Sequence, residues 1–323
     1  MLKGNRKSFI LIMMLALSLL VVGCSNGEEP ADEPVTDDPA VEEENGEDVD
    51  SEDEEASTDL GEEMDYEIVG IDAGAGVMQA AEQAVEDYDL DFDIKTSSGA
   101  VMTQALGDAI ENEEPIIVTG WTPHWKFIKY DLKYLDDPQE SFGGEETINT
   151  FVRLGLEEEN PNAYKLLDQF NWKTEDMESV MLEISEGEEP EDAAQNWIDD
   201  NQDKVDEWID GVEDVDGEEV KLAYVAWDST IASTNVVTRV LEDKGFNVTA
   251  TQVEAGPMWA SVAGGDTDGF LAGWLPITHQ AYLEDFKDEV VDLGPNLEGA
   301  KIGLVVPAYM DIDSIEDLQE YKK

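Results

Sequence analysis

One pattern occurs twice in this chain. Residues 68–72 read as a strand, followed by a Gly-rich turn, a helix over 78–88, a strand over 92–96, a helix over 100–112 and a strand from 116 that ends at Trp121. The same succession returns as a strand over 220–226, Asp228, a helix over 231–244, a strand over 247–253, a helix over 257–263 and a strand from 269 that ends at Trp274. The strand cores are short and continuously apolar, which is the pattern of parallel strands covered on both faces. Two βαβαβ units of this kind predict an α/β protein of two similar lobes, each a sheet flanked by helices, with a cleft between the carboxyl ends of their strands.

The remaining segments are placed around these units. Residues 66–135 are expected to form the first lobe, 136–307 the second, and 308–323 to return to the first. Between the repeats, 149–211 reads as helical, with candidate helices over 147–154, 161–169, 174–186 and 190–209 and Asn or Thr caps before two of them. Trp172, Trp197 and Trp208 fall at apolar positions there and read as packing residues. A last strand over 301–306 precedes a short acidic helix over 313–321.

The N-terminus has its own logic. Lys3, Arg6 and Lys7 precede an apolar run over 9–22, and Val21-Val22-Gly23-Cys24 closes it with small residues. A basic start, a short apolar core and a small-residue cleavage site make residues 1–23 a signal peptide, too short for a comfortable membrane span. The closing residues resemble the lipobox of bacterial lipoproteins, in which the cysteine, here Cys24, becomes the lipidated first residue. Cys24 is the one cysteine, so disulfide frameworks and Cys metal clusters are excluded. From Ser25 to about Asp65 the chain is dense in Glu and Asp without apolar periodicity, which predicts a disordered, self-repelling tether. Across the chain 79 acidic residues face 18 Lys plus Arg, a formal net charge of -61. That balance excludes nucleic acid as a partner and points to life at high salt, where counterions screen the repulsion.

Three tryptophans sit at strand ends. Trp121 lies in Gly-Trp-Thr-Pro, Trp274 in Gly-Trp-Leu-Pro and Trp227 in Ala-Trp-Asp. Each alone could be a core residue, but ligands of open α/β sheets bind at the strand carboxyl ends. Tryptophan faces converging there form a box for a cation that cannot hydrogen-bond, such as a quaternary ammonium. Gly74-Ala75-Gly76 before a helix offers unhindered N–H groups and the positive end of a helix dipole to an anion, although an ordinary tight turn reads the same way. The two histidines, His124 and His279, each follow a Trp-x-Pro segment; His279 reads as a carboxylate donor and His124 as a structural residue or part of the site wall. No metal-ligand spacing appears. A Ser229/His279/Asp228 hydrolase is the enzyme alternative, without a Gly-x-Ser-x-Gly elbow to support it.

Longer motifs now carry a resemblance. Gly120-Trp121-Thr122-Pro123-His124-Trp125, the run from Lys129 through Tyr130-Asp131-Leu132-Lys133-Tyr134-Leu135-Asp136-Asp137 to Pro138, Ala223-Tyr224-Val225-Ala226-Trp227-Asp228-Ser229 and Gly303-Leu304-Val305-Val306-Pro307 resemble the glycine betaine/proline betaine-binding lipoproteins of bacterial ABC importers, across 66–323. The order of the halves resembles the family's permuted subgroup. The resemblance implies a type II periplasmic-binding-protein-like fold closing on a betaine. It implies a cage of Trp121, Trp227 and Trp274 around the methylated ammonium, with the carboxylate held by the backbone N–H groups of Gly76 and Val77 and by His279. It further implies no cofactor, partnership with an importer's permease and ATPase subunits, and a lipid-anchored place on the outer face of the cell membrane. Ala73 replaces a Pro common in the family's turn, and Gly273 a residue that is frequently Ala. Choline or carnitine is the alternative ligand; choline lacks the carboxylate that the Gly76 turn and His279 would serve.

Overall fold

The structure, a computed structural model, describes residues 59–323. The signal-peptide-like segment, Cys24 and the acidic run up to residue 58 lie outside the described residues. The fold begins with α1 (Leu60–Glu63), a single turn capped by Asp59, whose carboxylate accepts the Gly61 N–H at 2.8 Å. Residues 59–65, expected to be tether, therefore belong to the folded part. Met64 is buried and Leu60 packs on the core, while Tyr66 donates its hydroxyl to the Lys322 carbonyl at 2.9 Å. Two apolar side chains among many acidic ones suffice to dock this turn.

The first repeat runs β1 (Glu67–Val69), α2 (Gly76–Asp87), β2 (Asp93–Lys95), α3 (Gly99–Asn112) and β3 (Ile117–Thr122). α2 buries Met78, Ala81 and Ala84 at helical spacing. The Ser98 hydroxyl caps α3 by accepting from the Val101 N–H. α4 (Lys126–Lys129) and β4 (Leu132–Tyr134) lead away to β5 (Glu146–Arg153). A helical block follows, α5 (Leu156–Glu159), α6 (Pro161–Gln169), α7 (Thr174–Ser185), α8 (Pro190–Asp200) and α9 (Gln202–Trp208). The second repeat is β6 (Glu219–Tyr224), α10 (Asp228–Asp243), β7 (Asn247–Gln252), α11 (Ala255–Ala263) and β8 (Gly269–Leu275). After α12 (Gln280–Phe286), the long strand β9 (Val290–Pro307) ends near a 3-10 turn, Ile315–Glu320.

The strands follow the path β2-β1-β3-β9-β5-β8-β6-β7, with β4 added to β9. In each repeat the first strand lies between the second and third, in parallel, and the third then meets an antiparallel strand, β9 beside β3 and β5 beside β8. The two-lobed α/β architecture expected from the repeat is therefore present, with matching strand orders. The return to the first lobe, expected at 308, comes earlier. β9 pairs with β5 as far as Ala300 and with β3 and β4 from Lys301 onward, so one continuous strand serves both sheets. The C-terminus then closes on the first lobe: Gln319 donates to the Tyr88 carbonyl at 2.6 Å.

Two expectations in the middle of the chain fail. Where a helix was expected over 147–154, residues 147–153 lie in β5. Thr147, Ile148, Thr150 and Val152 are β-branched, and their stiff side chains suit a pleated strand between β8 and β9. The single helix expected over 190–209 is two helices that break at Asn201. The break lets Trp208 fold back, so that its ring stacks on Trp197 at 5.5 Å and meets Phe170 edge-on at 4.9 Å. Trp172 crosses Trp197 at 5.6 Å, so the three tryptophans read as packing residues form one buried cluster.

Candidate functional site

The carboxyl ends of the strands deliver the site. Trp121 is the penultimate residue of β3 and Trp274 of β8, and Trp227 stands at the start of α10, beyond β6. The Pro that follows each strand-end segment, Pro123 and Pro276, has a cis peptide bond in both repeats. All three indole rings are buried, and they meet at one cavity of ≈ 310 Å³ of empty space, mouth included. Its lining also includes Ile71, Ala75, Gly76, Val77, Ser229, Thr278 and Ile302. Five of the six residues expected to touch a ligand thus surround one space: Trp121, Trp227, Trp274, Gly76 and Val77.

Gly76 and Val77 are the first two residues of α2, where backbone N–H groups have no intrahelical acceptor. Their N–H groups find no other acceptor among the described residues. The side chain of Gly76 must be absent: a Cβ there would stand 2.2 Å from the Thr278 carbonyl oxygen, which belongs to the opposite lobe. The wall is thus apolar and aromatic on three sides and offers free donors on one.

His279 does not line the cavity. It is fully buried with its ring 5.7 Å from that of Trp227 and 6.0 Å from that of Trp259. Its Nδ1 accepts the Trp274 N–H at 3.2 Å, and its own N–H returns to the Trp274 carbonyl at 2.9 Å. An accepting Nδ1 leaves the proton on Nε2, which is buried without a partner among the described residues. Burial lowers the imidazole pKa to about 3 against the opposing Ala272 backbone, so the ring is a neutral N–H donor. Such a donor costs about 1–3 kcal/mol unless something accepts its hydrogen bond.

His124 stands behind Trp121, edge to face at 4.7 Å, and is also fully buried. Its Nδ1 accepts the Lys126 N–H at 3.1 Å, and its Nε2 lies 3.5 Å from Asp228 Oδ2. Burial and then the Lys126 charge lower its pKa to about 4, against the pull of Asp228. Asp228 comes from the second lobe and also accepts the Trp125 indole N–H at 2.9 Å. Burial would raise the Asp228 carboxyl, but its hydrogen bonds to His124 and Trp125 prevail and lower it. With Tyr282 donating to the Gly74 carbonyl at 3.1 Å, these bonds join the lobes in a closed arrangement.

The hydrolase alternative finds no relay. Asp228 bonds Trp125 and faces His124, His279 is tied to Trp274, and the Ser229 hydroxyl has no partner. Among the described residues no group of His, Cys, Asp and Glu could hold a metal ion, and no helix is long and apolar enough to cross a membrane.

Two residues escaped the sequence reading. Glu146, buried on β5, accepts the N–H groups of Ile277 and Thr278 at 2.8 and 2.7 Å and the Thr278 hydroxyl, and so shapes the turn between Trp274 and His279. Its signal was the β-branched alternation of the strand that it opens. Lys126 is completely buried beneath Trp121, with Nζ 4.4 Å from the ring centroid; nothing in Trp-Lys-Phe distinguishes it from an exposed lysine.

Comparison with known proteins identifies the family. The chain is 56% identical over 272 residues, 83% of its length and 91% of the relative's, to the glycine betaine/carnitine transport binding protein GbuC of Listeria monocytogenes. The solved lactococcal OpuAC, closed and complexed with glycine betaine, is 55% identical over 45% of this chain and 57% of that one, with a TM-score of 0.44. A choline binding protein of an ABC transporter, solved with choline, is 29% identical over 47% and 55%, with a TM-score of 0.41. Against both solved structures the match spans less than two-thirds of the other chain. Residues 43–200 and 218–323 match the family described as the substrate binding domain of ABC-type glycine betaine transport systems, and the chain belongs to that family of binding proteins, which are not enzymes.

Proposed function

We propose that the cavity holds glycine betaine and that the chain delivers it, as a lipid-anchored extracytoplasmic protein, to the permease of an ABC importer. One observation carries the reading: three tryptophans converge on a cavity whose fourth side is the amino end of α2. A trimethylammonium has no N–H to donate, so aromatic faces are its specific partners, each contributing about 0.5–2 kcal/mol. The free N–H groups of Gly76 and Val77 are matched to a carboxylate at the other end; His279, which packs against Trp227 outside the cavity lining, is the further donor proposed for it. Proline betaine has the same two ends. Carnitine is the second reading, because the Listeria relative is a glycine betaine/carnitine transport binding protein; it is longer, and the closed cavity favours the shorter molecule.

Calorimetric titration with glycine betaine, proline betaine, carnitine, choline and proline tests the assignment. Glycine betaine should bind tightest and proline not at all. Replacement of Trp121, Trp227 or Trp274 by Ala should weaken betaine at least about tenfold, or 1.4 kcal/mol, with Phe tolerated better than Leu. Unchanged affinity in all three Ala variants would remove the cage. The anchor has a separate test: Cys24→Ala should abolish labelled-lipid uptake while leaving betaine affinity intact.

A further inference from the structure

Lys126 is the most anomalous group among the described residues. It is completely buried, and its Nζ has no hydrogen-bond partner. Instead the nitrogen sits 4.4 Å from the centroid of Trp121 and 5.2 Å from that of Phe127. The lysine stem runs beside β3, where a Cβ on Gly120 would stand 3.6 Å from Lys126 Cε. A protein that binds a cation on Trp121 thus keeps a cationic side chain of its own on the same ring.

We propose that Lys126 competes with the bound quaternary ammonium for Trp121, so that ligand and the Lys126 proton exclude one another and betaine binding expels that proton. This rests on the reading of the cavity as a betaine cage. A second cation at the ring meets a quadrupole already engaged and a like charge at the same ring. The lysine can yield where the trimethylammonium cannot: its ammonium gives one proton to solvent and remains as a neutral amine. Burial already lowers its pKa from 10.5 to about 7, against the attraction of Asp228, so that little is needed to tip it.

The groups around Lys126 leave it this role. Asp228, from α10, is the carboxylate that favours its charge. His124, in its own turn, is neutral above about pH 4. On α4 itself Lys129 stacks on Trp125 at 5.3 Å. Glu178 on α7 accepts the His124 backbone N–H. On β4 and β9, Tyr134 bonds Thr122, and Lys301 stacks on Tyr134 at 3.9 Å. Of these, Asp228 favours the Lys126 charge and is engaged by Trp125, and His124, which meets the same charge, is held neutral in part by it.

The experiment is calorimetric titration of the full chain with glycine betaine, near pH 7, in buffers of different ionisation enthalpy. The wild type should show a heat that varies with buffer in the sense of proton release, and its affinity should rise about three- to tenfold between about pH 6 and pH 8. Lys126→Met should lose both dependences and bind at the lower pH as tightly as the wild type at the higher. Choline should expel the same proton, because the coupling acts at the ammonium. Buffer-independent heat in the wild type overturns the proposal without any variant, and so does an unaltered pH profile in Lys126→Met. Absence of betaine binding at every pH would instead remove the cage reading, and this inference with it.

Discussion

At the scale of single residues the proposed betaine site separates into an ammonium end and a carboxylate end, and the separation is measurable. His279→Ala removes one donor and leaves the tryptophans and the α2 amino end in place. Losing a hydrogen bond to a charged group costs roughly 1.5–3 kcal/mol, so betaine affinity should fall about ten- to a hundredfold while choline binding changes little. Equal weakening of both ligands in parallel titrations would deny His279 that division of labour. Buried titratable groups also set the pH dependence of stability. His124 and His279 are held at about 4 and about 3, below the ordinary 6.5, so their contribution is complete above 6.5 and drains as the pH falls toward those values. Lys126, held at about 7 instead of 10.5, drains in a separate window, from 10.5 down to 7. Lys126→Met should therefore be more stable than wild type by a few kcal/mol, on the order of its shift, near pH 7, with the gap closing toward pH 10. Thermal melts over that range check it, and parallel curves would contradict it. The three tryptophans drew notice in the sequence because they stand at strand ends in two matching halves of the chain. Lys126 did not, because only three-dimensional burial makes a lysine unusual.

At the scale of elements, the site depends on how two short pieces of chain are held. The turn from Trp274 to His279 hangs from Glu146 through two backbone N–H groups and a hydroxyl. Glu146→Ala leaves those part-buried donors without their acceptor, which should destabilise the protein by about 1 kcal/mol and weaken betaine through displacement of Trp274 and His279. Denaturant unfolding with parallel titration measures both effects, and loss of stability without loss of affinity would mean that the turn holds its shape unaided. The amino end of α2 presents the complementary case. Gly76→Ala places a methyl group against the Thr278 carbonyl, so the variant should bind betaine more weakly while melting close to wild type when ligand-free. The repeats themselves were legible because parallel βαβαβ units write their period plainly. β5 was not, because a run of helices follows it directly and its strand character is enforced by β8 and β9, which lie far along the chain. The break at Asn201 was likewise set by the stacking of Trp208 on Trp197, a tertiary contact.

At the scale of the whole molecule, charge and closure act on the ligand differently. The chain carries a formal net charge of -61, and the ligand proposed for its cavity carries both signs. A zwitterion is neither gathered nor repelled by a distant uniform field, whereas a net cation such as choline is drawn toward it. That attraction is long-ranged and shrinks as the Debye length falls from about 10 Å at 0.1 M salt to about 3 Å at 1 M. The contacts proposed to hold betaine and close the lobes on it are short-ranged: aromatic faces, the α2 amino end, and the cross-lobe bonds of Asp228 to Trp125 and of Tyr282 to Gly74. Buried contacts are screened much less. Raising the salt should therefore leave betaine affinity nearly constant and weaken choline several-fold, so that selectivity for the zwitterion increases. The same screening relieves self-repulsion among the carboxylates, so the melting temperature should rise with salt while the betaine affinity does not. Competitive titration of the two ligands and thermal melts, each at about 0.1 M and about 1 M salt, separate these effects. A betaine-to-choline ratio that stays fixed would show that the acidic surface has no part in choosing the ligand; a melting temperature that falls with salt would show that it is not a source of strain.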